Sequence, residues 1–186
     1  MQYKVTELSL KGLKLIESDS FGDERGFFTK IFNKEKLNNS KIFFPIKQVN
    51  FSENPKSGTL RGLHFQEKNT DGKIICCLSG SIFDVAVDIR ENSKTFLQYF
   101  SLILDSRERK FFFIPPGFAH GFQSLENNTN ILYLHDQEYL SLDNRCLNPF
   151  DPTINIKWPL EEHLSNERDL NQPFIKKSFR GLKIKV

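Results

Sequence analysis

KIICCLSGSIFDVAVDI, residues 73–89, is the stretch from which the fold is read. Two β-like runs, Lys73–Leu78 and Ile82–Ile89, flank Ser79-Gly80, the residue pair expected of a tight hairpin turn. Moving upstream, Thr59–Phe65 follows a turn at Asn54-Pro55-Lys56-Ser57-Gly58, preceded by runs at Ile46–Phe51 and Phe27–Phe32. Downstream lie Phe96–Leu104, Phe111–Ile114, His120–Leu125 and Ile131–Tyr133. Many short strands separated by turn signals at intervals of roughly 8–12 residues indicate an all-β sandwich or barrel. Helical signal is confined to Lys34–Asn38 and to the stretch around Glu161–Asp169.

Composition agrees with this reading. The chain has 186 residues, enough for one compact domain spanning 1–186, with a C-terminal tail from about residue 160. Phe is abundant, with 19 copies against one Trp, and aromatic side chains suit pleated, half-buried surfaces. The net charge of +3 is spread rather than striped, which argues against a nucleic-acid partner. No stretch approaches the roughly 18–20 apolar residues of a membrane span. The three cysteines, Cys76, Cys77 and Cys146, form no secreted framework, and the opening MQYKVTELSLKG lacks a signal-peptide core, so a cytoplasmic location is expected. Cys76 and Cys77, adjacent in a strand, should face opposite sides.

Polar residues set among apolar ones inside a barrel strand are the places to look for chemistry. In Arg61-Gly62-Leu63-His64-Phe65-Gln66, strict alternation puts Arg61, Leu63 and Phe65 on one face and Gly62, His64 and Gln66 on the other. His64 can serve as a general base at neutral pH, and Gly62 leaves room beside it for a ligand or another backbone. A second histidine, His120, follows the rigid Pro115-Pro116-Gly117 turn. Two histidines in a β-barrel raise the possibility of a metal centre, but the strand around His64 lacks the second histidine and glutamate that would complete a ligand set. A metal is therefore disfavoured on the residues alone. In Phe83–Arg90, Asp84 or Asp88 could orient a catalytic histidine, or either could pair with an arginine.

Taken together, five segments in order resemble the dTDP-4-dehydrorhamnose 3,5-epimerase family. They are Phe21-Gly22-Asp23-Glu24-Arg25-Gly26-Phe27-Phe28, the Arg61–Gln66 segment, Phe83–Arg90, Ile114–Phe122 and Ile156-Lys157-Trp158-Pro159. The resemblance covers roughly residues 1–170. It implies a cupin-like jelly-roll barrel with short peripheral helices, a homodimer with no metal or other cofactor, and a nucleoside-diphosphate 4-keto-6-deoxy sugar as substrate. It further implies that His64 abstracts the proton beside the C4 ketone, with Asp169 as its partner. Tyr133 would return a proton from the opposite face, and Lys73 would meet the ketone oxygen. Arg25 and Arg61 fall at diphosphate-binding positions, and Gln48, Asn50 and His120 at other substrate contacts.

The chemistry makes these roles coherent. A carbon-bound proton next to a ketone is acidic because the charge left behind moves onto oxygen, so a base at carbon and a cation at oxygen cooperate. Base and acid on opposite faces then permit inversion at C3, C5 or both.

Departures from the family pattern cluster near the nucleotide. A family glutamate is replaced by Lys30, another by Asn144, a Leu-Tyr-Lys-x-Thr-x-Tyr-Tyr segment reads Leu132-Tyr133-Leu134-His135-Asp136-Gln137-Glu138-Tyr139, and a Trp-Asn-Asp-Pro segment reads Pro149-Phe150-Asp151-Pro152. Thymine offers an N3–H donor that a carboxylate accepts, whereas cytosine offers an acceptor there. A CDP-linked 4-keto-3,6-dideoxyhexose is thus the alternative substrate. Outside this chemistry, a non-catalytic sugar-nucleotide-binding cupin would keep the basic residues without needing an intact base and acid, and a metal-dependent cupin would respond to chelators.

Overall fold

The computed structural model describes residues 3–184 and is nearly all β. Short strands β1 (Tyr3–Glu7) and β2 (Lys14–Ser18) lead into a small hairpin, β3 (Ser20–Asp23) and β4 (Gly26–Thr29), which forms a sheet of its own. Helix α1 (Lys34–Asn39) starts where the Asn33 side chain caps the Lys36 N–H. Then come β5 (Gln48–Asn54), β6 (Leu60–Gln66), β7 (Lys73–Ser79), β8 (Ser81–Asp88) and β9 (Tyr99–Asp105). The last strands are β10 (Lys110–Ile114), β11 (Phe118–Ser124), β12 (Thr129–His135) and β13 (Asn144–Cys146), followed by α2 (Glu167–Leu170).

Two antiparallel sheets result, of order β1-β2-β10-β7-β12-β5 and β13-β6-β11-β8-β9. Between them lies one apolar cluster, with Ile75 and Cys77 of β7 and Phe112 of β10 facing Ile82 and Ala86 of β8 and Phe118 and Phe122 of β11. The outer faces are covered too. Leu37, Ile42 and Phe44 pack on Ile74, Cys76 and Phe111, while Ile154, Ile156 and Leu182 of the C-terminal chain pack on Leu63, Val85 and Val87. Cys76 and Cys77 therefore do face opposite sides. Strands buried on both faces need apolar residues at successive positions, which is why β7 reads as a continuous run rather than an alternation.

That double burial also corrects the hairpin expected at Ser79-Gly80. β7 pairs with β10 and β12, whereas β8 pairs with β9 and β11, so the turn crosses from one sheet to the other. Its polar groups bond outward: the Ser106 N–H donates to the Gly80 carbonyl and the Ser79 hydroxyl to the Asn128 carbonyl. Gly80 sits at φ 69°, with the Thr129 side chain where a Cβ would go. The predicted helix around Glu161–Asp169 shrinks to α2, because the exposed Glu161-Glu162-His163 segment supplies no apolar stripe to bury. Among the described residues, no helix is long and apolar enough to cross a membrane.

Candidate active site

At one end the two sheets part around a cavity of about 530 Å³, within the range that holds a small ligand. β6 and β11 supply Arg61, His64 and His120 from one sheet. β5, β7 and β12 supply Asn50, Lys73, Tyr133 and His135 from the other.

Arg61 and His64 share this cavity, contrary to strict alternation. β6 pairs with β11 through His64–His120 and then Arg61–Phe122, so β6 carries one residue more than its partner over this span. The bulge turns Arg61 to the side of His64 and leaves Leu63 in the outer core. Gly62 makes this possible by close approach: a Cβ there would lie 2.5 Å from the Gly121 Cα, at a φ of 126°. Of the two uses foreseen for Gly62, accommodating another backbone is the one realised.

His64 Nε2 lies 2.9 Å from Asp169 Oδ1, and the other carboxylate oxygen accepts the Gly62 N–H at 3.1 Å. Asp169 itself is held in α2, where the Asn166 cap accepts its N–H. Burial pushes this carboxyl's pKa up, but the His64 hydrogen bond and charge and the Gly62 N–H outweigh it and hold it below the ordinary range. An ionised Asp169 fixes the proton on Nε2 and leaves the His64 Nδ1 lone pair for the cavity.

His120 makes a second pair, Nε2 to Asp84 Oδ1 at 2.6 Å. Asp84 is fully buried and its Oδ2 has no hydrogen-bond partner, so burial lifts its pKa despite His120. Asp88 instead pairs with Arg90 at 2.8 Å and accepts from Ser93 and Thr95. The two readings of this strand thus divide, one carboxylate on a histidine and one on an arginine.

On the facing sheet, burial first and then the Asp84 charge push the Tyr133 phenol well above its ordinary range, which keeps it a proton donor. Its ring meets His120 edge-on and stacks on His135, each at 6.2 Å between centroids. Lys73, almost fully buried, is 2.8 Å from Asp71, whose same oxygen accepts from His135 Nδ1 at 2.9 Å. Arg61 is held by Nε donation to the buried Asn54 at 3.0 Å. Sequence reasoning passed over Asp71 and His135, 64 positions apart, and also the cavity-lining Arg168. Asp71 lies just before β7 begins at Lys73, outside every run the sequence marked.

Some expected contacts are placed differently. Gln48 stands behind Asn50, donating to it and accepting the Tyr139 N–H, so it steadies the rim rather than lining the cavity. Arg25 sits at the tip of the β3–β4 hairpin, bound to Asp23, and is not on the cavity of its own chain. Of the divergent positions Lys30, Asn144 and Phe150, Asn144 lines the cavity, and with its amide oxygen turned to Arg168 it accepts at 2.7 Å. Lys30 and Phe150 do not line it; Phe150 packs against His163.

The family model described as dTDP-4-dehydrorhamnose 3,5-epimerase matches residues 7–177. The chain belongs to this family. A dTDP-4-dehydrorhamnose 3,5-epimerase of Shigella flexneri is 38% identical over 176 residues, covering 92% of this chain and 96% of that protein. The crystal structure of a Legionella pneumophila dTDP-6-deoxy-D-glucose-3,5-epimerase in complex with dTDP-4-keto-L-rhamnose is 34% identical. It superposes with a TM-score of 0.93 over all of both chains. That of a Bacillus anthracis dTDP-4-dehydrorhamnose 3,5-epimerase with TDP and pyrophosphate bound is 35% identical, with a TM-score of 0.90, covering 93% of this chain and 99% of that one. Membership makes the chain an epimerase, and therefore an isomerase, on the expected cupin-like jelly roll.

Within this epimerase the Asp71 pairings predict a distinctive pH response. Burial raises the Asp71 pKa, but Lys73 and His135 outweigh it and bring it down to about 2. A pKa lowered by folding contributes stability that is present above the unfolded value near 4 and lost as pH falls through the folded one. Asp71→Asn should therefore cost about 2 kcal/mol at neutral pH, with the deficit fading as pH falls from about 4 through about 2. Urea unfolding of both proteins across this range checks it; a deficit that persists in acid would assign the loss to packing instead.

Proposed function

We propose that this epimerase inverts C3 and C5 of a dTDP-linked 4-keto-6-deoxyhexose. His64 Nδ1 takes the proton from the carbon beside the C4 ketone, and the electron pair left behind moves onto the ketone oxygen. The Lys73 ammonium, oriented by Asp71, meets the charge growing there. Tyr133 then delivers its phenolic proton to the opposite face of that carbon, so one C–H bond breaks and another forms with inverted configuration. His64 ends with one proton more and Tyr133 with one fewer, and exchange with water resets both. The electron sink is the substrate's own ketone, so the scheme calls on no metal or redox cofactor.

The observation that carries this reading is the placement of base and acid on opposing sheets of one cavity, His64 on β6 and Tyr133 on β12. Arg61 and Arg168 at the same cavity suit a diphosphate, since a planar guanidinium matches paired anionic oxygens. His120 and Asn50 line the same cavity and serve as further substrate contacts in this proposal. Proton NMR in heavy water, with dTDP-4-keto-6-deoxyglucose as substrate, is expected to show solvent deuterium entering at C3 and C5. Deuterium at one carbon would reduce the reaction to a single inversion, and none with substrate bound would end the epimerase reading. Running the CDP-linked sugar alongside tests the carrier. Because Lys30, the exchange that motivated the CDP alternative, does not line the cavity, dTDP is expected to be preferred.

The working form is a homodimer in this proposal. Phe21, Phe27 and Phe28 stand 63%, 59% and 67% exposed on the β3–β4 hairpin, an apolar surface that a second copy would cover. Arg25, at the tip of that hairpin, would then serve the partner's cavity. A monomeric mass by sedimentation would remove this part. A cytoplasmic location is supported by the free thiols of Cys76, Cys77 and Cys146.

A further inference from the structure

Cys146 plays no part in the proton transfers, yet it stands beside the catalytic pair. β13 pairs with β6 so that Cys146 lies directly opposite His64, which places their side chains on one face of the sheet. Its Sγ is 3.6 Å from Asp169 Oδ1, itself 2.9 Å from His64 Nε2, and one ligand atom each of His64, Cys146 and Asp169 lie within 4.8 Å of one another. We propose that these three atoms form an inhibitory site for a thiophilic divalent cation, of which Zn²⁺ is the type.

The donor set is one that zinc favours: a thiolate, an imidazole nitrogen and a carboxylate oxygen. Around a tetrahedral zinc such donors are separated by roughly 3.4–3.7 Å. The sulfur–carboxylate distance already matches. The nitrogen–oxygen distance of 2.9 Å needs to open by only about half an ångström as the ion replaces the shared proton. A thiolate and a carboxylate together neutralise a divalent ion, so the site carries no net buried charge. Each donor is held by a separate element, β6, β13 and α2, and the second Asp169 oxygen is anchored by Gly62. Access comes from the far side. Cys146 opens onto a groove of about 280 Å³, walled by Phe174 and Phe179 of the C-terminal chain, whereas His64 faces the substrate cavity.

This arrangement dictates how the ion acts. Coordination takes the Nε2 lone pair and moves the imidazole proton to Nδ1, the atom that must accept the substrate proton. The thiol proton leaves to solvent, so one proton is released per ion bound. Substrate still enters its own cavity, but the base is blocked. Inhibition should therefore lower kcat with little change in KM.

The test uses the full chain, stripped with a chelator. Zn²⁺ should abolish turnover reversibly without raising KM. Co²⁺ should give the near-ultraviolet charge-transfer band of a cobalt–thiolate bond. Cys146→Ser and Cys146→Ala should keep turnover, lose the cobalt band and need at least about tenfold more Zn²⁺ for the same inhibition, since even outer partners of a metal are worth about 10–100-fold in affinity. Equal inhibition of the variants, a rise in KM alone, or no cobalt band that depends on Cys146 would overturn the proposal. The inhibition rests on His64 being the base. The cobalt band does not, so failure of the site and failure of the epimerase reading give different results.

Discussion

His64→Ala is expected to lower epimerisation by about 10²–10⁴-fold, the usual worth of a general base, while leaving nucleotide binding nearly intact. The loss should lie in kcat. Arg61 and Arg168, the positive groups suited to the diphosphate, are held by Asn54 and Asn144 and do not lean on the imidazole. Deuterium incorporation at the sugar carbons should fall by the same factor as turnover, because without the base no enolate forms. Asp169→Asn makes a graded comparison. It keeps the shape but removes the ionised acceptor that fixes the His64 tautomer, so its loss should be smaller than that of His64→Ala. Isothermal titration with dTDP, beside exchange rates by NMR, separates the effects. A His64→Ala protein that still exchanges at the wild-type rate would remove His64 from its assigned role.

The sequence spoke most clearly where physics is local. Short apolar runs and turn residues made the all-β architecture legible, whereas the burial of both faces of β7 and β8 emerges only from the segments that cover the sheets. What a turn such as Ser79-Gly80 does not carry is the identity of its strands' partners. The same two residues serve a hairpin or a crossing between sheets, and the choice is made by β10, β11 and β12. Likewise, strict alternation misplaced Arg61 because a bulge depends on the close passage of Gly62 and Gly121, residues from two different strands. The pairing of His64 with Asp169, 105 positions apart, was accessible through family resemblance. Asp71 and His135, 64 positions apart, meet only in the fold, and spacing alone had no means of joining them.

Tyr133→Phe should separate the two halves of the reaction. The ring stays, stacked on His135 and edge-on to His120, so the cavity keeps its shape. Only the donor that faces His64 from the other sheet is lost. His64 can still withdraw the proton, with Lys73 still holding the charge at oxygen. The enolate is then reprotonated by the group that deprotonated it, on the same face. Product should fall by about 10²–10⁴-fold, as for loss of a general acid. Solvent deuterium, however, should continue to enter the starting sugar at a rate close to that of the native enzyme. Lys73→Met makes the contrast. Without the cation at oxygen, exchange and inversion should fall together, by about 10²–10³-fold if it acts like a lost oxyanion donor. If Tyr133→Phe loses exchange in step with inversion, the phenol is needed to form the enolate, and the acid on the opposite face must be sought elsewhere in the cavity.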